Sequence, residues 1–284
     1  MIRTLPNSKR YSFTYGTFII CYFVFLFAPL LVTCVLAFNN SDFPSLPWYG
    51  FSLDWFVASG PERIGIFNDS QNLRAISTSF QTAFWVAIFS TIVGTCAAFL
   101  FEQESFPFNN LLYFLMLAPL VIPGVILGIS LLLAANTAGT FVENSFGIDV
   151  ALFRPSFWLV VMGQFSFITT FVALVVSARL RKFDPTLEEA AMNLGATRLE
   201  VIWHITLKFL RPAIIGAGAV AFLMSFENFN TTLFLVGSKP TLPINLYLQV
   251  RDGSTPVINA ISLLLIVGTF FLAMVNLYFN KEKD

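Results

Sequence analysis

Ser156–Ala178, SFWLVVMGQFSFITTFVALVVSA, runs for 23 residues without a charge and is followed at once by Arg179, Arg181 and Lys182. A helix needs about 20 mostly apolar residues to cross a hydrocarbon layer of roughly 30 Å. The stretch is long enough to span a bilayer, and the cationic cluster marks its return to water. Five further stretches have the same character: Thr17–Phe38, Ser79–Phe101, Leu111–Ala135, Ala213–Val236 and Val257–Phe279. Only the one starting at Ala213 contains a charge, Glu227. The whole chain agrees with this reading. Of 284 residues 56% are hydrophobic and only 11% charged, with a mean hydropathy of +0.76, where soluble domains carry about 25% charged residues. The expected fold is an all-α membrane protein of six transmembrane helices.

Basic residues set the orientation, because the loops rich in Lys and Arg stay in the cytoplasm. With the N-terminus inside, eleven of the 16 basic residues fall on the inner side, among them Arg3, Lys9, Arg10, Lys281 and Lys283. Both termini are therefore expected in the cytoplasm. Residues 1–16 form an N-terminal segment, 17–279 the six-span domain with a cytoplasmic loop at 179–212, and 280–284 a tail. The first span is too long for the apolar region of a signal peptide and is read as retained. Trp48, Tyr49 and Trp55 in the outer loop 39–78 fit an interfacial aromatic belt.

Other classes are excluded or left without support. Lys+Arg and Asp+Glu are equal at 16, so no net field favours nucleic acid. Cys21, Cys34 and Cys96 are odd in number and all lie in apolar runs, which suits packing and not a disulfide framework. A single histidine, His204, leaves little room for metal or triad chemistry. No phosphate-binding loop of the G-x-x-x-x-G-K-[ST] type is present, so ATP is not hydrolysed by that route.

The loop at 179–212 is the most structured polar stretch. Asp184 before Pro185 reads as an N-cap with proline at the first helical position. Leu187, Ala190, Ala191 and Leu194 then recur with helical spacing and form one apolar stripe. Gly195 fits the left-handed residue that ends a helix, and Thr197 with Glu200 forms a capping box for the next one. A short amphipathic helix, a sharp turn and a second helix follow. The stripe suits either docking to a partner or packing on the chain's own helices.

Glu189-Ala190-Ala191 followed by Gly195 resembles the EAA motif of permease subunits of bacterial ABC importers. Ile205 and Leu207 continue the pattern, with Lys208 where proline is usual. Leu242-Pro243, Tyr247, Val250-Arg251, Gly253, Pro256 and Ile258-Asn259-Ala260 look like the loop before the last span of spermidine/putrescine permeases. The chain is accordingly identified as a member of the polyamine-type permease family. That resemblance implies a cytoplasmic coupling helix between spans four and five, carried here by Asp184, Glu188, Glu189, Ala190, Ala191, Leu194 and Gly195. It also implies a dimer of ABC ATPases, a second homologous permease and an extracytoplasmic substrate-binding protein as partners. The setting is the bacterial inner membrane. ATP and Mg would sit on the partner ATPase, leaving no cofactor and no metal on this chain.

Glu227 is costly in a span and should face the bundle interior, water or a partner. With Ser225, Asn228, Asn230, Thr231 and Thr232 it makes a polar patch, and on a helix Glu227, Asn230 and Thr231 share a face. The patch suits a pathway for a cationic or hydrogen-bonding substrate, or polar glue between helices. The family's acidic pair in this span is reduced here to Glu227, and the acid usual after the third-span proline is Gly124. Pro119 and Pro123 are expected to kink the third span, with Gly124 and Gly128 on a small-residue face, as in a gate or in an ordinary membrane helix. The expected function is the permease subunit of a binding-protein-dependent importer for polyamines or a related small amine. An ion-coupled secondary transporter using Glu227, or a permease for a different small organic solute, are the alternatives.

Overall fold

The computed structural model describes residues 9–281 apart from Glu62 and Ser254; Arg3 and Lys283, counted above for orientation, lie outside them. Among the described residues regular structure is helical, with two isolated antiparallel bridges, Asn39 to Phe51 and Ser59 to Ile64. In order come α1 (Lys9–Leu36), α2 (Asp54–Val57), α3 (Ser70–Gln103), α4 (Asn109–Val121), α5 (Gly124–Phe146), α6 (Phe157–Leu180), α7 (Thr186–Asn193), α8 (Arg198–Val201), α9 (Leu207–Phe226), α10 (Thr232–Leu235), α11 (Leu242–Gly253) and α12 (Val257–Lys281). Five described helical segments are long and apolar enough to cross a membrane, and α4 and the start of α12 are shorter apolar helices.

The chain folds as two compact units. One takes the residues up to Leu73 together with those from Leu248 onward, and the other is Arg74–Tyr247. In the first, α12 packs on α1 and on α2. The loop after α1 is built around Asn39, whose Nδ2 donates to the carbonyls of Ser45 (3.3 Å) and Pro47 (3.1 Å), and whose Oδ1 accepts from Tyr49 N–H (2.9 Å). Trp55 is not a belt residue. It is only 5% exposed and donates its indole N–H to the Asn39 carbonyl at 2.9 Å. Arg63 lies over its ring and pairs with Asp42 and Asp54.

The second unit has α6 at its centre. Half of that helix is buried, against α3 through Val86 and Ala98 and against α9 through Leu210, Ala217 and Ala221. In a membrane such packing, together with polar contacts, replaces the hydrophobic drive between helices. Gly94 permits the α3–α6 approach, since a Cβ there would stand 2.8 Å from Val172.

Two of the expected spans are not continuous helices. Leu111–Ala135 breaks at Ile122–Pro123, both extended, and the chain resumes as α5, which runs on to Phe146. Proline has no N–H to donate and disfavours helical backbone in the residue before it, which places the break at Ile122. Pro119, by contrast, sits inside α4. The stretch Ala213–Val236 likewise ends its helix at Phe226, and only α10 follows. Glu227, Asn230 and Thr231 therefore do not share a helix face, as periodicity had suggested. They lie in the break, where Asn and Thr side chains compete with the helical ladder for backbone groups.

Candidate functional site

The two breaks meet. Gly124 at the start of α5 lies so close to the second break that an added Cβ would stand 3.0 Å from Asn230 Cβ and 3.3 Å from Thr231 Oγ1. One turn further on, a Cβ at Gly128 would stand 2.7 Å from the Thr231 carbonyl oxygen. The small-residue face of α5 thus receives the polar break between α9 and α10. Pro123, Gly124, Asn230 and Thr231 belong to one place.

Behind that place runs a buried polar relay. Ser225 Oγ donates to Gln164 Oε1, and Gln164 Nε2 donates to Thr232 Oγ1 at 2.7 Å. Thr232 Oγ1 in turn donates to Asn228 Oδ1 at 2.9 Å, and the Thr232 N–H reaches the same oxygen at 3.2 Å. Gln164 and Thr232 are fully buried and Ser225 nearly so. Glu227 follows the last turn of α9, its N–H bonded to the Leu223 carbonyl at 3.1 Å. Its side chain is exposed on the surface of the chain and forms no hydrogen bond or ion pair with the described residues. Asn230 is also exposed, whereas Thr231 is buried.

This arrangement presents the Glu227 carboxylate and the exposed Asn230 carboxamide beyond a helix C-terminus, whose unsatisfied carbonyls carry partial negative charge. It can hold an ammonium by charge and by accepted hydrogen bonds. Among the described residues no group of His, Cys, Asp or Glu side chains converges to hold a metal ion. Thr232 belongs to the polar patch around Glu227, whereas Gln164 carries no local signal beyond being the one amide within Ser156–Ala178.

The polar hairpin folds from local signals. Asp184 Oδ1 accepts from the Thr186 N–H (3.0 Å) and Oγ1 (2.8 Å), and α7 starts at Thr186 with Pro185, one residue later than the sequence suggests, in the N-cap position. Gly195 is left-handed at φ +95°, and the Ala196 N–H reaches Ala191 O (3.1 Å) while Gly195 N–H reaches Met192 O (2.9 Å). That pair of bonds is a Schellman termination. Thr197 and Glu200 complete the capping box of α8, which passes through a π-helical turn, Ile202–Thr206, into α9.

Side chains tie the hairpin to the ends of the long helices. Arg181 donates to Glu102 through Nε (2.8 Å) and Nη2 (2.7 Å), and these bonds raise its pKa above the ordinary value. Arg198 pairs with Glu104, and the Arg179 guanidinium lies 4.1 Å from the centre of the Phe209 ring. Glu188 turns inward to accept from Thr206 Oγ1. Glu189, Ala190 and Gly195 are exposed, and the apolar stripe is uncovered: Leu187 is 50% and Leu194 90% exposed. Packing on the chain's own helices does not account for it.

Known proteins resemble the chain along most of its length. The family described as binding-protein-dependent transport system inner membrane component matches residues 90–282. The putrescine transport system permease protein PotI of Escherichia coli (strain K12) is 34% identical, over 92% of this chain and 89% of its own. The spermidine/putrescine transport system permease protein PotC of the same strain is 26% identical over 94% of each. A crystal structure of a bacterial ABC transporter importing the acidic polysaccharide alginate superposes with a TM-score of 0.74. It is 19% identical and covers 96% of this chain and 95% of the other.

Proposed function

The chain belongs to the binding-protein-dependent transport system inner membrane components, and from that premise we propose that it is the permease for putrescine or a closely related small amine, with Glu227 in its pathway. It is a permease of the ABC importer class. The observation that carries the substrate reading is the meeting of two broken spans with an unpaired carboxylate at the junction. Discontinuous membrane helices concentrate unsatisfied backbone groups near the midplane, and helix C-termini there favour cations. The likeness to PotI points to the same chemistry. Ser225, Glu227, Asn228, Asn230 and Thr231 form the substrate pathway, and Pro119, Pro123 and Gly124 its hinge.

On this reading α7 is the coupling helix. Its uncovered stripe of Leu187, Ala190 and Leu194, beside Glu189, docks in a groove of a cytoplasmic ATPase. Asp184 and Gly195 delimit the helix, Ala191 supports it, and Glu188 anchors it to Thr206. ATP and Mg are bound by that ATPase and not by this chain. A second permease completes the pathway, and a binding protein delivers substrate to the outer mouth. On this reading the chain crosses six times over 17–279, with α4–α5 together making the third crossing and α12 the last; both termini then share one side, and the excess of basic residues there favours the cytoplasm.

Uptake of labelled putrescine in cells with and without this chain, before and after ATP depletion, tests the proposal. ATP-dependent uptake that disappears with the chain is the expected result. Unchanged putrescine uptake would overturn the substrate assignment while leaving the class intact.

A further inference from the structure

We propose that Gln164 is a positioning residue of the pathway, fixing the break at 227–231 so that Glu227 faces the substrate. The inference rests on the pathway reading of Glu227. Gln164 lies on α6 and forms no hydrogen bond with Glu227 or Asn230, yet it bonds both sides of the break. Its carbonyl oxygen takes the hydroxyl of Ser225, in the last turn of α9. Its NH2 group serves Thr232, the first residue of α10. A five-residue non-helical segment is thereby clasped at both ends by one side chain that is 0% exposed.

The relay also has a direction. Each hydroxyl has one proton, so Thr232, accepting from Gln164, is left to donate onward to Asn228 Oδ1. With the backbone N–H of Thr232 on the same oxygen, two donors fix that atom as the carbonyl of Asn228. The Asn228 Nδ2 is held away from Thr232 and forms no hydrogen bond with the described residues. An apolar residue at 164 leaves the Thr232 and Ser225 hydroxyls without their buried partner. An ionised carboxylate there accepts from Thr232, which then withdraws its proton from Asn228.

The test uses the complete importer, with its ATPase, second permease and binding protein, in proteoliposomes. Labelled putrescine uptake and ATP hydrolysis are read on the same preparation. Losing one such buried hydrogen bond corresponds to about a tenfold effect, so Gln164→Leu should lower uptake about that much while hydrolysis stimulated by loaded binding protein falls far less. A change that only reduces the number of folded complexes lowers both together, and that result would overturn the proposal. Gln164→Glu keeps the shape. When protonated, its carboxyl donates to Thr232 and accepts from Ser225 as the amide does, and burial raises the pKa of such an acid. Its uptake relative to the wild type should therefore recover as pH falls between about 9 and 6. A flat ratio across that range would count against the relay. Glu227→Gln, run in parallel, separates the two readings. If it is silent while Gln164→Leu uncouples, Glu227 leaves the pathway and the relay stands. If Glu227→Gln uncouples and Gln164→Leu does not, the relay falls alone.

Discussion

Replacing Gly128 by alanine tests whether the junction of the two broken spans is a packed object. A Cβ at Gly128 would stand 2.7 Å from the carbonyl oxygen of Thr231 and 3.2 Å from its Cα, where ordinary contact begins at 3.4 Å. Both atoms belong to backbone, so no side chain can swing away. The Thr231 segment or α5 must move by several tenths of an ångström. Overpacking of this kind costs about 1–3 kcal/mol. A shift of Thr231 carries Thr232 with it and stretches the bond from Gln164. Gly128→Ala should therefore lower the thermal stability of the purified complex and reduce putrescine uptake per ATP hydrolysed. The control is Gly16→Ala in α1, where an added Cβ meets nothing within 4 Å and alanine is the better helix former. Stability and uptake equal to the control would refute the close approach of Gly128 to Thr231, and with it the claim that the two breaks form one site.

Two further perturbations probe the other elements. Gly195→Asp puts a side chain on a backbone at φ +95° and a charge beside the uncovered stripe; the strain is about 1–2 kcal/mol, and uptake should be abolished with membrane insertion intact, as it should for Ala190→Phe. Pull-down of the ATPase measures it, and undiminished ATPase capture would end the docking assignment. Arg63→Ala removes the pairs to Asp42 and Asp54 and the contact with the Trp55 ring, worth together about 1–2 kcal/mol. Limited proteolysis should then cut residues 40–68 faster, with Trp55 fluorescence shifted to the red; an unchanged rate would show that the Asn39 hydrogen bonds hold the loop alone.

What was legible in the sequence depended on the range of the interaction. The hairpin was read almost residue by residue, because Asp184, Gly195 and Thr197 with Glu200 act on neighbours within a few positions. The spans were read as lengths of apolar chain, and apolar length says nothing about continuity. Pro123 and the Asn-rich run after Phe226 break helices that hydropathy counts as whole. For the same reason Glu227, Asn230 and Thr231 were assigned a common face that exists only on an unbroken helix. Gln164 was missed because its partners lie 61 and 68 residues away. Trp55 was taken for a surface anchor because its partner, the Asn39 carbonyl, is a backbone group that composition does not reveal.

On the pathway reading, selectivity lies in the charges at the breaks. The same fold serves an importer of an acidic polysaccharide, while relatives of higher sequence identity are permeases named for putrescine and spermidine. The scaffold of α3, α6 and α9 therefore does not set the sign of the substrate, and on the proposed reading a few side chains at the breaks do. Here one carboxylate follows the C-terminus of α9, where the helix end adds about half a negative charge. An ammonium about 4 Å from such a carboxylate gains about 4 kcal/mol at an intermediate dielectric. That attraction is enough to favour a cation over a neutral solute and small enough to let it go. A diamine has a second ammonium that Glu227 cannot also neutralise, and in the third span the place beside Pro123 is held by Gly124, which the packing against Asn230 and Thr231 keeps small. On the proposed pathway the second carboxylate for such a substrate comes from the other permease, so a diamine should lose more transport than a monoamine when that partner's pathway acids are neutralised.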